Sequence, residues 1–145
     1  MLSQTAEHAL RAILFLARQT AGARVSAESI AGALGAPRNY LSKTLGTLAR
    51  EGLITSARGP NGGFRLEVPA GELTVSRVVR LFDEAPTGTV CLVGGRKCDA
   101  GDPCEAHARW AAVRQGTLAP LERTTIAELL GGPVLPGSGS EIRVA

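Results

Sequence analysis

The chain has 145 residues, 44% of them apolar, and it carries a formal net charge of +3. This length fits one domain, or one small domain with an appendage, and is enough to bury roughly two-thirds of the unfolded surface without disulfides or metals. No apolar run approaches the roughly 20 residues of a membrane helix and the first residues do not resemble a secretory signal, so we expect a cytoplasmic protein without a membrane partner.

The first third of the chain predicts three helices, from apolar stripes at helical spacing and from capping residues. They cover residues 3–19, a short stretch from the N-cap Ser26 through Leu34, and a stretch that opens at Pro37 or Arg38 and runs to about Glu51. Gly35 and Ala36 form a tight connection between the second and third helices. Gly52 ends the third helix.

A β-hairpin is predicted directly after the third helix. Leu53–Ala57 and Gly63–Val68 are rich in strand formers, and the sequence Arg58-Gly-Pro-Asn-Gly-Gly63 lies between them. Consecutive turn formers flanked by strand formers are typical of a hairpin.

Three further helices are predicted around a cysteine-rich loop. The first covers Ser76–Asp83 and a longer one covers Glu105–Leu121, while Thr125 and Glu128 fit a capping box for a last short helix. The predicted organisation is a domain over residues 1–83, a loop with all three cysteines over 84–104, a helical segment over 105–130, and a Gly-, Pro- and Ser-rich tail over 131–145 that we expect to be disordered.

The longer helix has an apolar face whose spacing approximates a coiled-coil seam. This face predicts either helix pairing between two copies of the chain, giving a homodimer, or plain packing on the chain's own core. Its members are Trp110, Val113, Thr117, Leu118 and Leu121.

Helix, tight turn, helix and Gly-rich hairpin is the order of a winged helix-turn-helix in a mainly α fold, a module that places one helix in a major groove. Residues 38–65 hold five basic residues and one acid, which favours a polyanionic partner. Aromatic residues make up only 3% of the chain, which argues against base stacking on single strands. We therefore predict double-stranded DNA as the partner and no small-molecule substrate.

The third helix divides into a core side and a DNA side. Leu41, Leu45 and Leu48 keep a spacing of three or four residues and should face the core. The candidate DNA-binding residues, near the exposed start of this helix and on the hairpin, are Arg38, Asn39, Tyr40, Ser42, Lys43, Arg58 and Arg65.

Cys91, Cys98, Cys104 and His107 follow one another as C-x6-C-x5-C-x2-H. An odd number of cysteines excludes a closed intrachain disulfide framework. Thiolates and imidazole suit iron–sulfur clusters and zinc, so these residues leave a metal centre and a thiol redox switch equally open. A Cys104–His107 nucleophile pair would need an oxyanion-hole donor or an orienting residue, and neither is apparent, so we do not expect an enzyme.

Over about residues 2–130, the chain resembles the Rrf-type family of bacterial winged helix-turn-helix regulators, which includes the IscR-like and NsrR-like iron–sulfur sensors. The resemblance implies a homodimer formed through the long helix after the cysteine loop. It also implies an iron–sulfur cluster held by Cys91, Cys98 and Cys104, and DNA binding that depends on cluster state, with repression as the family's default. The matching motifs are Thr5-Ala-Glu-His-Ala-Leu-Arg11, Asn39-Tyr-Leu41, Arg58-Gly-Pro-Asn-Gly-Gly-Phe64 and Cys104-Glu-Ala-His-Ala-Arg-Trp110.

The resemblance leaves three candidates for the fourth cluster ligand. IscR-like members use a histidine after the last cysteine, His107 here, with a 2Fe–2S cluster. NsrR-like members use an acidic residue of the partner chain's first helix, Glu7 here, with a 4Fe–4S cluster, and His8 is a third candidate. We slightly favour His107 and 2Fe–2S because His107 needs no reach between chains. The alternative function is a metal-free thiol redox-switch repressor of the same fold.

Overall fold

The computed structural model describes residues 2–83, 112, 116 and 119–131 of the chain. These residues are mainly helical and include one small antiparallel sheet of two strands. The elements, in chain order, are α1 (Gln4–Ala17), α2 (Ala27–Leu34), α3 (Arg38–Arg50), β1 (Ile54–Ala57), β2 (Gly63–Leu66), α4 (Val75–Val79) and α5 (Ile126–Gly131). None of the helices in this part of the chain is both long and apolar enough to cross a membrane.

The helices begin and end at capping residues close to the predicted positions. The Ser26 side chain accepts a hydrogen bond from the backbone N–H of Ser29, as an N-cap does, and Gly35 ends α2 in the left-handed region at φ +65°. Thr125 and Glu128 form the predicted capping box, because the Glu128 carboxylate accepts from the Thr125 N–H at 2.7 Å while the Thr125 hydroxyl accepts from the Glu128 N–H at 3.2 Å. These three predictions are confirmed.

The core surrounds α1. Ala6, Ala9, Ala12 and Ile13 have no exposed surface, and α1 is contacted by α2, α3, α4, α5 and β2. The predicted inward orientation of α3 is confirmed, since its core leucines are fully buried. These leucines are Leu41, Leu45 and Leu48.

The hairpin that follows α3 is confirmed, with strands slightly shorter than predicted. Its register runs from Ile54 opposite Leu66 to Ala57 opposite Gly63. Val25, in the connection between α1 and α2, exchanges two backbone hydrogen bonds with Phe64, at 2.9 and 2.8 Å. The hairpin, or wing, is therefore bound, near the turn end of β2, to the connection between α1 and α2.

The helix predicted over Ser76–Asp83 is shorter than expected. The regular helix is α4, which ends at Val79, and the residues beyond it continue as turns. The reason is visible in the backbone: the N–H groups of Leu81 and Phe82 bond to carbonyls three residues earlier rather than four. This tighter winding is common at a helix end.

The predicted helix over residues 105–121 is described only in part. Residues 112, 116 and 119–121 are helical, and the helix continues to residue 123. Leu121 is half-buried and packs on the core. The other members of the predicted apolar face, Trp110, Val113, Thr117 and Leu118, lie outside the described residues.

Gly63 should not tolerate a side chain. Its φ is +123°, and a Cβ there would lie 2.6 Å from the Val25 carbonyl oxygen. We expect Gly63→Ala to destabilise the fold by about 1–3 kcal/mol, measured by urea unfolding of the full chain.

Gly32→Ala is the matched control. Gly32 lies in α2, its φ is not positive and a Cβ there would meet nothing within 4 Å. This substitution should stabilise the fold by about 0.5–1 kcal/mol, because alanine loses less backbone entropy in a helix. Equal unfolding midpoints for wild type and Gly63→Ala would contradict the close approach of wing and core.

Candidate nucleic-acid interface

The N-terminal end of α3 presents polar and basic side chains to solvent. Arg38, Asn39, Ser42 and Lys43 are exposed. No acidic residue lies in the first turn, and the N-cap Pro37 has no side chain that accepts from the free N–H groups. The positive end of the helix dipole therefore adds to the Arg38 charge, an arrangement that favours phosphate.

This surface continues along α3 beyond the residues that the sequence predicted. Lys43, Gly46, Thr47 and Arg50 line a shallow, open groove that α3 alone forms on its exposed side. The Thr47 hydroxyl donates to the Lys43 carbonyl at 3.2 Å and accepts from the Arg50 guanidinium at 3.1 Å. Helical spacing from Lys43 would have found Thr47 and Arg50, since residues four and seven positions later lie on the same face.

The wing carries two of the predicted DNA-binding residues. Arg58 is exposed at the turn between the strands. Arg65 is half-buried, and its Nε donates to the Thr55 hydroxyl across the sheet at 3.3 Å. Arg24 donates to the Gly63 carbonyl at 3.3 Å and so adds a basic side chain near the turn end of the wing that the sequence prediction missed.

Tyr40 differs from the other predicted DNA-binding residues in its orientation. It is half-buried, its hydroxyl forms a hydrogen bond with the Thr5 hydroxyl of α1, and its ring meets the His8 ring edge-on at 5.5 Å. Its polar atom is thus engaged with α1, whereas its neighbour Asn39 is exposed.

The two cluster-ligand candidates on α1 differ in access. The Glu7 side chain is 59% exposed and lies 3.9 Å from the Arg11 guanidinium. His8 is only 9% exposed, and its Nδ1 has no hydrogen-bond partner among the described residues. Burial of His8 within its own chain disfavours a reach to a second chain.

The remaining cluster-ligand candidates, Cys91, Cys98, Cys104 and His107, lie outside the described residues. Within the part of the chain that is described, no three His, Cys, Asp or Glu side chains gather as metal ligands.

Comparison with known proteins relates this chain to a family of transcriptional regulators. Residues 2–132 match the Rrf2 family, described as an iron-dependent transcriptional regulator. The HTH-type transcriptional regulator IscR of Salmonella paratyphi B is 31% identical over 141 residues, which cover 97% of this chain and 85% of that protein. Both descriptions are of transcriptional regulators.

Solved structures show the same fold. Staphylococcus aureus CymR in its oxidized form superposes with a TM-score of 0.75 at 25% identity, covering 93% of this chain and 99% of that one. IscR of T. potens superposes with a TM-score of 0.71 at 25% identity, covering 90% of this chain and 85% of that one.

The groove on α3 predicts a salt-dependent contact with the DNA backbone. We expect Lys43→Gln and Arg50→Gln each to reduce the slope of log K against log salt by about 1, because each removes one phosphate contact and its released counterion. The measurement is fluorescence anisotropy at several salt concentrations, on a duplex selected by the wild-type protein from a random pool.

Arg77→Gln is the control for this titration. Arg77 is exposed on α4, which packs on α1 rather than against α3. Its loss removes the same charge but should leave the slope unchanged. Equal slopes for wild type, Lys43→Gln and Arg50→Gln would show that the groove does not contact phosphate.

Proposed function

The chain belongs to the Rrf2 family of transcriptional regulators, and on that premise we propose that it is a homodimeric repressor whose operator affinity depends on a bound iron–sulfur cluster. The observation that carries the proposal is the combination of an exposed basic face on α3 with three cysteines and a histidine in the following segment. The first feature reads DNA, and the second supplies ligands for iron.

The contacts to DNA would be divided between α3 and the wing. Asn39, Ser42 and Lys43 are exposed near the start of α3, where side chains can reach base edges in a major groove. Arg58 at the wing turn is placed to reach phosphates or a minor groove. These roles are consistent with the buried leucines on the opposite side of α3, which fix its orientation in the domain.

The donor set of the chain fits an iron–sulfur cluster. Cys91, Cys98 and Cys104 provide three thiolates, the ligands that such clusters take most often. A bound cluster would supply a centre whose state responds to oxidants, nitric oxide or iron supply. The protein's part is to hold that centre and to convert its presence into a change in DNA affinity.

His107 is the fourth ligand that we propose, with a 2Fe–2S cluster. It follows Cys104 by three positions, so one chain can supply all four ligands. Glu7 of the partner chain is the alternative, and its exposure in the first turn of α1 supports it. His8 is the weakest candidate because its ring is buried in its own chain.

The dimer would use the helix that ends at residue 123. The proposed contact face is Trp110, Val113, Thr117, Leu118 and Leu121. Pairing two chains through this face would present two copies of α3 to half-sites about 34–36 Å apart, one turn of duplex DNA. A small change in the distance between the two copies would then alter operator affinity.

A thiol redox switch without metal is the second candidate. It is favoured by the likeness to Staphylococcus aureus CymR, for which one solved structure is of an oxidized form. The same three cysteines would then respond to oxidants directly, and the DNA-binding surface would be unchanged.

Purification without oxygen should yield a brown protein with equal amounts of iron and sulfide. Cluster-free and loaded protein should differ in operator affinity by between about 5- and 150-fold, the usual range of coupling between two sites. The measurements are visible absorption, iron and sulfide analysis, and fluorescence anisotropy with the selected duplex.

The control is a variant with all three cysteines replaced by serine, which should be colourless and bind the duplex with a constant affinity. A colourless, iron-free wild type whose DNA affinity changes with oxidant would instead establish the thiol switch. A brown wild type with equal affinity in both states would contradict cluster-dependent regulation.

The fourth ligand can be assigned with two substitutions. We expect His107→Ala to change the visible spectrum or to lower the iron content, while Glu7→Gln leaves both unchanged. Glu7→Gln should cost little stability, because the ion pair with Arg11 is long and exposed. The opposite pattern, with four iron atoms in each wild-type chain, would assign Glu7 and a 4Fe–4S cluster.

A further inference from the structure

Tyr40 of α3 contacts the start of α1. Tyr40 lies in the first turn of α3, directly after the exposed Asn39. Its hydroxyl shares a hydrogen bond with the Thr5 hydroxyl, and its ring packs edge-on against His8 at an interplanar angle of 72°. Two independent contacts therefore join the DNA-reading end of α3 to the first two turns of α1.

The α1 side of this contact is held in place. The Ser3 hydroxyl caps α1 by accepting from the Ala6 N–H at 3.1 Å, and the Ser3 N–H donates to the Asp83 carboxylate at 2.8 Å. Ala6, between Thr5 and Glu7, has no exposed surface. The turn that carries Thr5 is thus fixed by its cap, by a carboxylate from beyond α4 and by the core.

The α3 side of the contact has no comparable support from its own cap. Pro37 occupies the N-cap position and makes no side-chain hydrogen bond. The first turn is instead held by the fully buried Leu41 and by the contact of Tyr40 with α1. The contact with Thr5 and His8 is the feature that orients Tyr40 among the described residues.

We propose that Tyr40 is a positioning residue, which acts through Thr5 to hold the first turn of α3 in its DNA-reading orientation and does not itself contact DNA. The inference rests on the proposed DNA binding but not on the cluster. It assigns the Tyr40 hydroxyl to α1 and leaves base and phosphate contacts to the exposed neighbours Asn39, Ser42 and Lys43.

The test is a double-mutant cycle on operator affinity with Tyr40→Phe and Thr5→Val in the full chain. Each substitution removes one of the two hydroxyls and keeps the side-chain shape. We expect each to weaken binding of the selected duplex about three- to tenfold, the usual effect of one hydrogen bond. The double variant should bind no more weakly than the single ones, because all three lack the same bond.

Two further measurements separate positioning from a general loss of structure. Affinity for a duplex of random sequence should stay at the wild-type value in every variant, as should the midpoint of thermal unfolding to within a few degrees. Thr5→Ser, which keeps the hydroxyl, should restore operator affinity. Asn39→Ala, beside Tyr40, should weaken operator binding, and combined with Thr5→Val the loss should be less than additive, because Asn39 is one of the side chains that the contact positions.

Several results would overturn the positioning role of Tyr40. Weaker operator binding by Tyr40→Phe with wild-type binding by Thr5→Val would place the Tyr40 hydroxyl on DNA and overturn the inference. Additive losses, or wild-type affinity in both single variants, would overturn it as well. A wild-type protein that selects no duplex would overturn the proposed DNA binding, and the inference with it.

Discussion

The close packing of the helices on α1 is the constraint on which the rest of the structure depends. Ile13 on α1 is fully buried, and so are Ala6, Ala9 and Ala12, whose small side chains let neighbouring helices approach closely. Helices α2, α3, α4 and α5 all contact α1. A larger residue at any of these positions would move a helix, and with it the surface that the helix presents.

This packing decides which side of α3 faces solvent and so carries the proposed DNA contacts. Leu41, Leu45 and Leu48 are buried against the core, and the basic groove that includes Lys43 and Arg50 follows the opposite side. The wing is fixed relative to that face by the backbone bonds between Val25 and Phe64. Thus apolar contacts fix the exposed side of α3 and backbone hydrogen bonds fix the wing, the two elements proposed to contact DNA.

Local chemistry explains which features the sequence could predict. Ser26, Thr125 and the Gly-rich hairpin act through neighbouring backbone groups, so their effect is readable from the sequence alone. The partly buried position of Tyr40 was not predicted, because Leu41, Leu45 and Leu48 alone indicate a narrower core side of α3. Thr44, four residues after Tyr40, is 2% exposed, and including it would have extended the buried stripe to Tyr40.

The longer-range features needed the structure. The end of α4 depends on a change in backbone hydrogen bonding. The hydrogen bond from the Ser3 N–H to the Asp83 carboxylate joins residues 80 positions apart. Neither leaves a pattern in the sequence. The cysteines and His107 lie outside the described residues, so their roles still rest on the sequence and on the family.

The position of Glu7 gives the two fourth-ligand alternatives different mechanical consequences. Glu7 lies two residues after Thr5 in the first turn of α1, and Thr5 is bonded to Tyr40 at the start of α3. If Glu7 is a ligand, loss of the cluster would displace the Glu7 carboxylate and with it the first turn of α1. That turn is bonded to α3 through Thr5 and Tyr40, so DNA affinity could respond through this hydrogen bond. If His107 is the ligand, α1 carries no ligand, and the response must pass through the dimer contact or through the chain near Asp83, which is bonded to the same turn. The route from Glu7 and the route through Asp83 both end at the first turn of α1, so the contact between Thr5 and Tyr40 is a step that these two routes would share.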